Sequence, residues 1–262
     1  MLDDKTVTLL ADELYQALRK CIAVSPLRAR YPAIEMNDAY RISQQIMRRR
    51  LTDGETITGK KIGITSAVVQ AMFDVHQPDF GFLTNQMAVA NGADIKIQDN
   101  LIQPRAEGEI AFMLNRDLVG PGITEQHVID ATEYIVPCFE IVDSRIENWQ
   151  ITIEDTIADN ASCGLYVLGT GKVNPREVDL PNLKMKVFKN DELLSEGLGS
   201  AVQGNPLTAV AWLANTLSQY AIPFNAGEII LSGSLVPLEP VFAGDQMRLE
   251  LGHVGTAKVN FT

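Results

Sequence analysis

Residues 105–112 read Arg-Ala-Glu-Gly-Glu-Ile-Ala-Phe, and residues 137–145 read Pro-Cys-Phe-Glu-Ile-Val-Asp-Ser-Arg. Each runs into a short apolar or β-branched segment, 109–114 and 135–142, a pattern that favours strands. Side chains two apart on a strand share a face, so Glu107 and Glu109 project side by side. One reading makes them the solvated edge of a half-buried strand. Glu140 stands in a run apolar enough to be buried, where an ionised carboxylate needs a partner. Arg145 would be the simple partner; alternatively Glu140 faces Glu107 and Glu109. Three carboxylates so clustered repel one another and take up protons unless a divalent cation sits among them. An all-oxygen donor set with room for water suits Mg²⁺ or Mn²⁺ and not Zn²⁺.

Outward from these segments the same strand grammar recurs at 57–64, 183–188, 228–231 and 247–251, with 189–192 (Lys-Asn-Asp-Glu) as a hairpin tip. Helical spacing appears at 6–22, at 39–51 behind an Asn37-Asp38 cap, at 124–134 and at 206–220. The chain therefore divides into an N-terminal helical region, residues 1–56, packed on a mostly β body, residues 57–262, an α+β arrangement. The first part is too small to build a core alone.

Composition narrows the function classes. The chain has 262 residues, 46% hydrophobic and 21% charged, which are globular values. A formal charge of −11 repels phosphate backbones and anionic lipid. The longest basic run, Arg48-Arg49-Arg50, lies in a helical pattern as a solvated face, so neither nucleic acid nor a membrane is the expected partner. No apolar run reaches the roughly 18 residues a membrane helix needs. Cys21, Cys138 and Cys163 form no CxxC pair, and the start is acidic where a signal peptide is basic. A cytoplasmic setting is expected.

Further candidates come from local chemistry. In Gly59-Lys60-Lys61-Ile62-Gly63-Ile64-Thr65 the lysines are either surface groups or one points into a cavity, where desolvation would lower its pKa for acid–base work. Pro78 and Gly81 bracket Asp79 in a Gln-Pro-Asp-Phe-Gly stretch, which reads either as a turn or as a fixed carboxylate. The run 155–164, which contains Ser162, is too polar for a core strand. The run 231–237, which contains Ser234, is a small-residue turn whose amides could hold a carboxylate. His76, His127 and His253 are too irregularly spaced for a metal set, and Cys138 and Cys163 read as inert core thiols.

Taken together, Gly-Lys-Lys-Ile-Gly-Ile-Thr, Gln-Pro-Asp-Phe-Gly, Pro-Arg-Ala-Glu-Gly-Glu-Ile-Ala-Phe, Pro-Cys-Phe-Glu-Ile-Val-Asp-Ser-Arg and Ala-Asp-Asn-Ala-Ser-Cys-Gly resemble the fumarylacetoacetate hydrolase superfamily. Within it the chain is similar to the hydratase/decarboxylase branch of aromatic meta-cleavage pathways. The resemblance implies a distorted mixed β-roll or barrel and a Mg²⁺ or Mn²⁺ site at Glu107, Glu109 and Glu140. It also implies Lys61 and Asp79 as proton-transfer groups, with Ser162 and Ser234 expected at the substrate. The implied reaction is hydration of 2-hydroxypenta-2,4-dienoate to 4-hydroxy-2-oxopentanoate. Decarboxylation of 2-oxohex-3-enedioate and an inactive scaffold subunit are the alternatives. A small anionic 2-oxo acid is the implied partner, along with a homo-oligomer and association with the pathway decarboxylase.

Overall fold

The computed structural model describes the backbone of residues 1–262 and every side chain except those of Ala67, Val68 and Met72. Its strands in chain order are β1 (Ile57–Gly63), β2 (Asp79–Thr84), β3 (Ala88–Val89), β4 (Asp94–Ile95), β5 (Arg105–Leu114), β6 (Thr132–Val142) and β7 (Cys163–Leu168). They continue with β8 (Lys184–Lys189), β9 (Glu192–Leu198), β10 (Ile229–Ser234), β11 (Glu239–Pro240), β12 (Gln246–Leu251) and β13 (Gly255–Phe261). One mixed sheet has the order β2-β1-β10-β5-β6-β7-β3, with β11 beside β5; a second has the order β4-β13-β12-β8-β9. The α+β class with a mixed, curled sheet is thus what the chain forms.

The long antiparallel neighbours β5 and β6 set the geometry. Their antiparallel register puts Glu107 opposite Glu140, Glu109 opposite Cys138 and Ala111 opposite Val136. The alternation sorts the two faces. On the side away from the glutamates, Ile110, Phe112, Phe139 and Ile141 join the main hydrophobic cluster with Leu249, Val259 and Phe261 of the second sheet. On the glutamate side, Ala111, Val136, Cys138, Cys163, Tyr166, Ile229 and Leu231 fill the concave interior.

That interior is concave because the sheet curls. Two strands, β10 and β5, separate β1 from β6, a span of roughly 14 Å in a flat sheet. Yet Lys61 Nζ on β1 lies 3.3 Å from Glu140 Oε1 on β6.

The helices Asp4–Lys20 and Met36–Thr52 lay Val7, Leu10, Leu14, Ile42 and Ile46 into the same cluster as the body residues. Asp155, on the helix Ile153–Ala158, accepts the Leu27 amide at 2.7 Å and the Arg28 amide at 3.1 Å, tying the loop between those helices to the site side of the body. The helix expected at 124–134 is shorter, Glu125–Ala131, because the chain passes into β6 at Thr132 without a breaker. The expected hairpin tip is present: Asn190 and Asp191 both take left-handed φ between β8 and β9. No described helix is long and apolar enough to cross a membrane.

Candidate functional site

Glu107, Glu109 and Glu140 each offer a carboxylate oxygen within 4.8 Å of the others. Cross-strand pairing brings Glu107 to Glu140, and the period-two pleat brings Glu109 beside Glu107. Glu109 and Glu140 are buried, and Glu109 Oε1 and Glu140 Oε1 have no hydrogen-bond partner. Glu109 receives one bond, from the Gly233 N–H at 2.8 Å. Gly233 turns that amide inward at φ +107°, where a Cβ would also lie 2.5 Å from Thr65. The alternative partner for Glu140 is excluded by geometry: buried Arg145 pairs instead with Asp159, and its guanidinium also bonds the carbonyls of Asp143, Cys163 and Asp159.

The electrostatics follow from this crowding. Burial, then repulsion by Glu140, raises Glu107 from 4.5 to about 7. Burial, then Glu140 and Glu107, pushes Glu109 well above the ordinary carboxylate range. The unpartnered buried oxygen of Glu109, a hard all-oxygen donor set and the convergence of three carboxylates, of which Lys61 offsets only Glu140, fit a divalent cation of the Mg²⁺ type.

A pH dependence follows. A folded-state pKa raised from 4.5 to about 7 means that the metal-free fold holds protons the unfolded chain has released, so this group's contribution to stability falls as pH rises across that interval. The metal-free Glu107→Gln protein lacks this penalty. Its melting temperature is expected to exceed that of wild type by a margin that widens between pH 5 and pH 7.5, while Mg²⁺ uptake by wild type strengthens over the same range. Parallel thermal melts and Mg²⁺ titrations check both.

Lys60 and Lys61 go to opposite faces of β1. Lys60 bonds the Pro223 carbonyl at 3.0 Å and pairs with Glu228, stacked 5.4 Å from the Phe224 ring centroid. Lys61 faces the glutamates. Burial alone would lower its pKa, as anticipated from its sequence setting, but Glu140 and Asp79 outweigh burial and raise it, so Lys61 is held as an ammonium.

Asp79, at the first position of β2, sits opposite Gly63 on β1 rather than in a turn. It is buried, its Oδ1 has no hydrogen-bond partner, and burial raises its pKa. A Cβ on Gly63 would stand 2.2 Å from Asp79 Oδ1 and 3.2 Å from Lys61 Nζ. Gly63→Ala is therefore expected to displace Asp79 and cut kcat/KM about 100-fold with the fold retained. Steady-state kinetics alongside circular dichroism check it.

Ser162 is buried and lines the cavity of Lys61 and Asp79, whereas Ser234 lines a neighbouring cavity that shares Ile64 and Glu107 with it. Ser162 Oγ is 3.1 Å from Thr156 Oγ1, at the end of a left-handed run Asn160-Ala161-Ser162 with φ of 54°, 53° and 51°. Ser234 donates to the Val236 carbonyl at 2.7 Å and sits beside Glu107, favouring its ionised form. Lys61, Asp79, Glu107 and Ser162 line one cavity of about 590 Å³ with Arg105, Trp149, Ile64, Val142, Pro237 and Leu238.

Two groups in this region were not singled out from sequence. Asn160 accepts the Phe82 amide at 2.8 Å and donates to the Phe82 carbonyl at 2.9 Å, pinning β2 and hence Asp79. Arg105 lies one pleat before Glu107 on the same face. Only the polar density of 155–164 hinted at the first.

Known proteins resemble this chain throughout its length. The family model described as fumarylacetoacetate (FAA) hydrolase C-terminal matches residues 59–262. A 2-hydroxyhexa-2,4-dienoate hydratase of Comamonas testosteroni is 52% identical over 263 residues, covering 100% of both chains. A 2-hydroxypent-2,4-dienoate hydratase of Pseudomonas putida is 56% identical over 220 residues, 84% of this chain and 99% of its own. Among solved structures, the 4-oxalocrotonate decarboxylase from Pseudomonas putida G7 complexed with magnesium and adipate superposes with a TM-score of 0.97 at 32% identity, covering 100% of this chain and 99% of its own. With its curled mixed sheet and this extent of similarity, the chain belongs to the fumarylacetoacetate hydrolase family.

Proposed function

We propose that the protein is a hydro-lyase that adds water to 2-hydroxypenta-2,4-dienoate, giving 4-hydroxy-2-oxopentanoate, with Mg²⁺ or Mn²⁺ held by Glu107, Glu109 and Glu140. The observation that carries this is the trio of converging carboxylates, in which buried Glu109 Oε1 is unpartnered, reached through Glu107 from a cavity that also presents Lys61 and Asp79. Relatives at 52% and 56% identity bear dienoate hydratase names, which supports hydration over other chemistry at such a site. A bound divalent cation supplies Lewis acidity and a template for the 1-carboxylate and 2-oxygen of the substrate.

The chain's own groups handle the protons. Lys61, kept as an ammonium by Glu140 and Asp79, gives its proton to C5 and takes up in exchange the proton that leaves the enol hydroxyl. Asp79, with a raised pKa and a free buried oxygen, takes the proton of the water whose oxygen bonds to C4; that proton ends at C3. The apolar lining, Ile64, Val142, Pro237 and Leu238, keeps bulk water off the dienol. A homo-oligomer belongs to the same proposal, supported by exposed Leu193, Leu194 and Leu198 on edge strand β9.

The second reading is decarboxylation, favoured by the likeness to the magnesium- and adipate-bound decarboxylase. Incubating the Mg²⁺-loaded protein with 2-hydroxypenta-2,4-dienoate and with 2-oxohex-3-enedioate separates the two. Loss of the ultraviolet chromophore of the first without gas supports hydration. CO₂ release from the second favours decarboxylation, and inertness toward both refutes an enzymatic role.

A further inference from the structure

We propose that Arg105, braced on Trp149, is the group that grips the 1-carboxylate of the oxo acid alongside the glutamate site; this rests on the oxo-acid reading above. The cavity lining contains two cations. Lys61 is paired with Glu140 at 3.3 Å and lies within the field of Asp79, whereas the Arg105 guanidinium has no carboxylate partner among the described residues. An arginine without an anion on the wall of a half-enclosed cavity is a docking point for one, because its planar fork matches both oxygens of a carboxylate.

Its placement selects which carboxylate. Arg105 precedes Glu107 by one pleat on the same face of β5 and sits across the ladder from Val142, next to the Glu107–Glu140 pair. An anion held there lies against the carboxylate trio, where the 1-carboxylate and 2-oxygen converge. The apolar residues Ile64, Pro237 and Leu238 line the same cavity and suit the hydrocarbon tail.

The guanidinium is also held in place. Its carbon stands 4.6 Å from the Trp149 ring centroid, a cation–π stack. Trp149 in turn donates its indole N–H to the Gln103 carbonyl at 2.9 Å. Asn148 and Trp149 both take left-handed φ, 57° and 55°, an uncommon pair for residues that are not glycine. The chain accepts this strain at the one place that lays an indole under the cavity's unpaired arginine.

Calorimetric titration of the Mg²⁺-loaded protein with 2-oxopentanoate, a saturated analogue with a single carboxylate and nothing to hydrate, tests this without turnover. Wild type is expected to bind it and Arg105→Met to bind it about 10- to 100-fold more weakly. Arg105→Lys, which keeps the charge and loses the fork, should fall between them; it carries the comparison should Arg105→Met fail to fold. Equal binding by wild type and both variants would overturn the assignment. So would a loss confined to 2-oxoadipate titrated in parallel, since Arg105 would then read a distal carboxylate. If wild type itself ignores 2-oxopentanoate, the oxo-acid reading falls and this assignment with it.

Discussion

Replacing Glu109 by Gln is expected to weaken Mg²⁺ binding by more than about 100-fold, since even outer partners of metal ligands are worth 10- to 100-fold. At limiting Mg²⁺ it should lower kcat/KM by roughly three orders of magnitude, the scale of several kcal/mol of lost charge stabilisation. The same substitution should raise the melting temperature of the metal-free protein. Glu109 is 0% exposed, its Oε1 is unbonded, and burial with two neighbouring carboxylates pushes its pKa well up, so it is a liability to the fold until a cation is present. Opposite signs for metal-free stability and metal affinity distinguish a ligand from a structural carboxylate. A buried glutamate serving only the fold would lose stability on becoming Gln, with or without Mg²⁺.

Lys61→Met should leave Mg²⁺ uptake intact while lowering kcat by about 10² to 10⁴, the range for a lost proton-transfer group. Lys61 contributes positive charge beside Glu140 and Asp79, so its removal makes the pocket more anionic, and a cation should be held as well as before or better. Mg²⁺ titration and single-turnover kinetics on the same preparation read both halves. Loss of metal binding in Lys61→Met would make Lys61 a brace for the glutamates rather than a proton carrier. The parallel change Lys60→Met touches only the far face of β1, where Lys60 pairs with Glu228, and should destabilise the fold without this separation of effects.

Much of the site was legible because strand periodicity is short-range. Glu107 and Glu109 share a face by spacing alone, and Glu140 stood out as a charge in an apolar run. What spacing could not supply was register. The pairing of Glu107 with Glu140 depends on how β5 slides along β6, and the choice of Lys61 over Lys60 depends on which face of β1 is concave. Arg145 found Asp159, 14 positions away, because the turn through Asn160–Ser162 folds back against the end of β6.

Three of the strands that sequence reading left out, β2, β7 and β13, each contain a glycine that reads as a breaker, and three more, β3, β4 and β11, are only two residues long. In β2 the reason is contact: a Cβ at Gly81 would stand 2.5 Å from the Asn160 carbonyl, whose side chain pins the strand. The left-handed turn at Asn148-Trp149 carries no glycine and gave no local sign, so the alignment of Trp149 with Arg105 emerged only from the fold.

The most direct test is a crystal structure grown with Mg²⁺ and 2-oxopentanoate. One ion should sit about 2.0–2.1 Å from an oxygen of each of Glu107, Glu109 and Glu140, with the carboxylate and 2-oxygen of the analogue and one water completing its octahedral shell. Glutamates that stay unmetallated and protonated under saturating Mg²⁺, or an ion bound elsewhere in the cavity, would contradict the account.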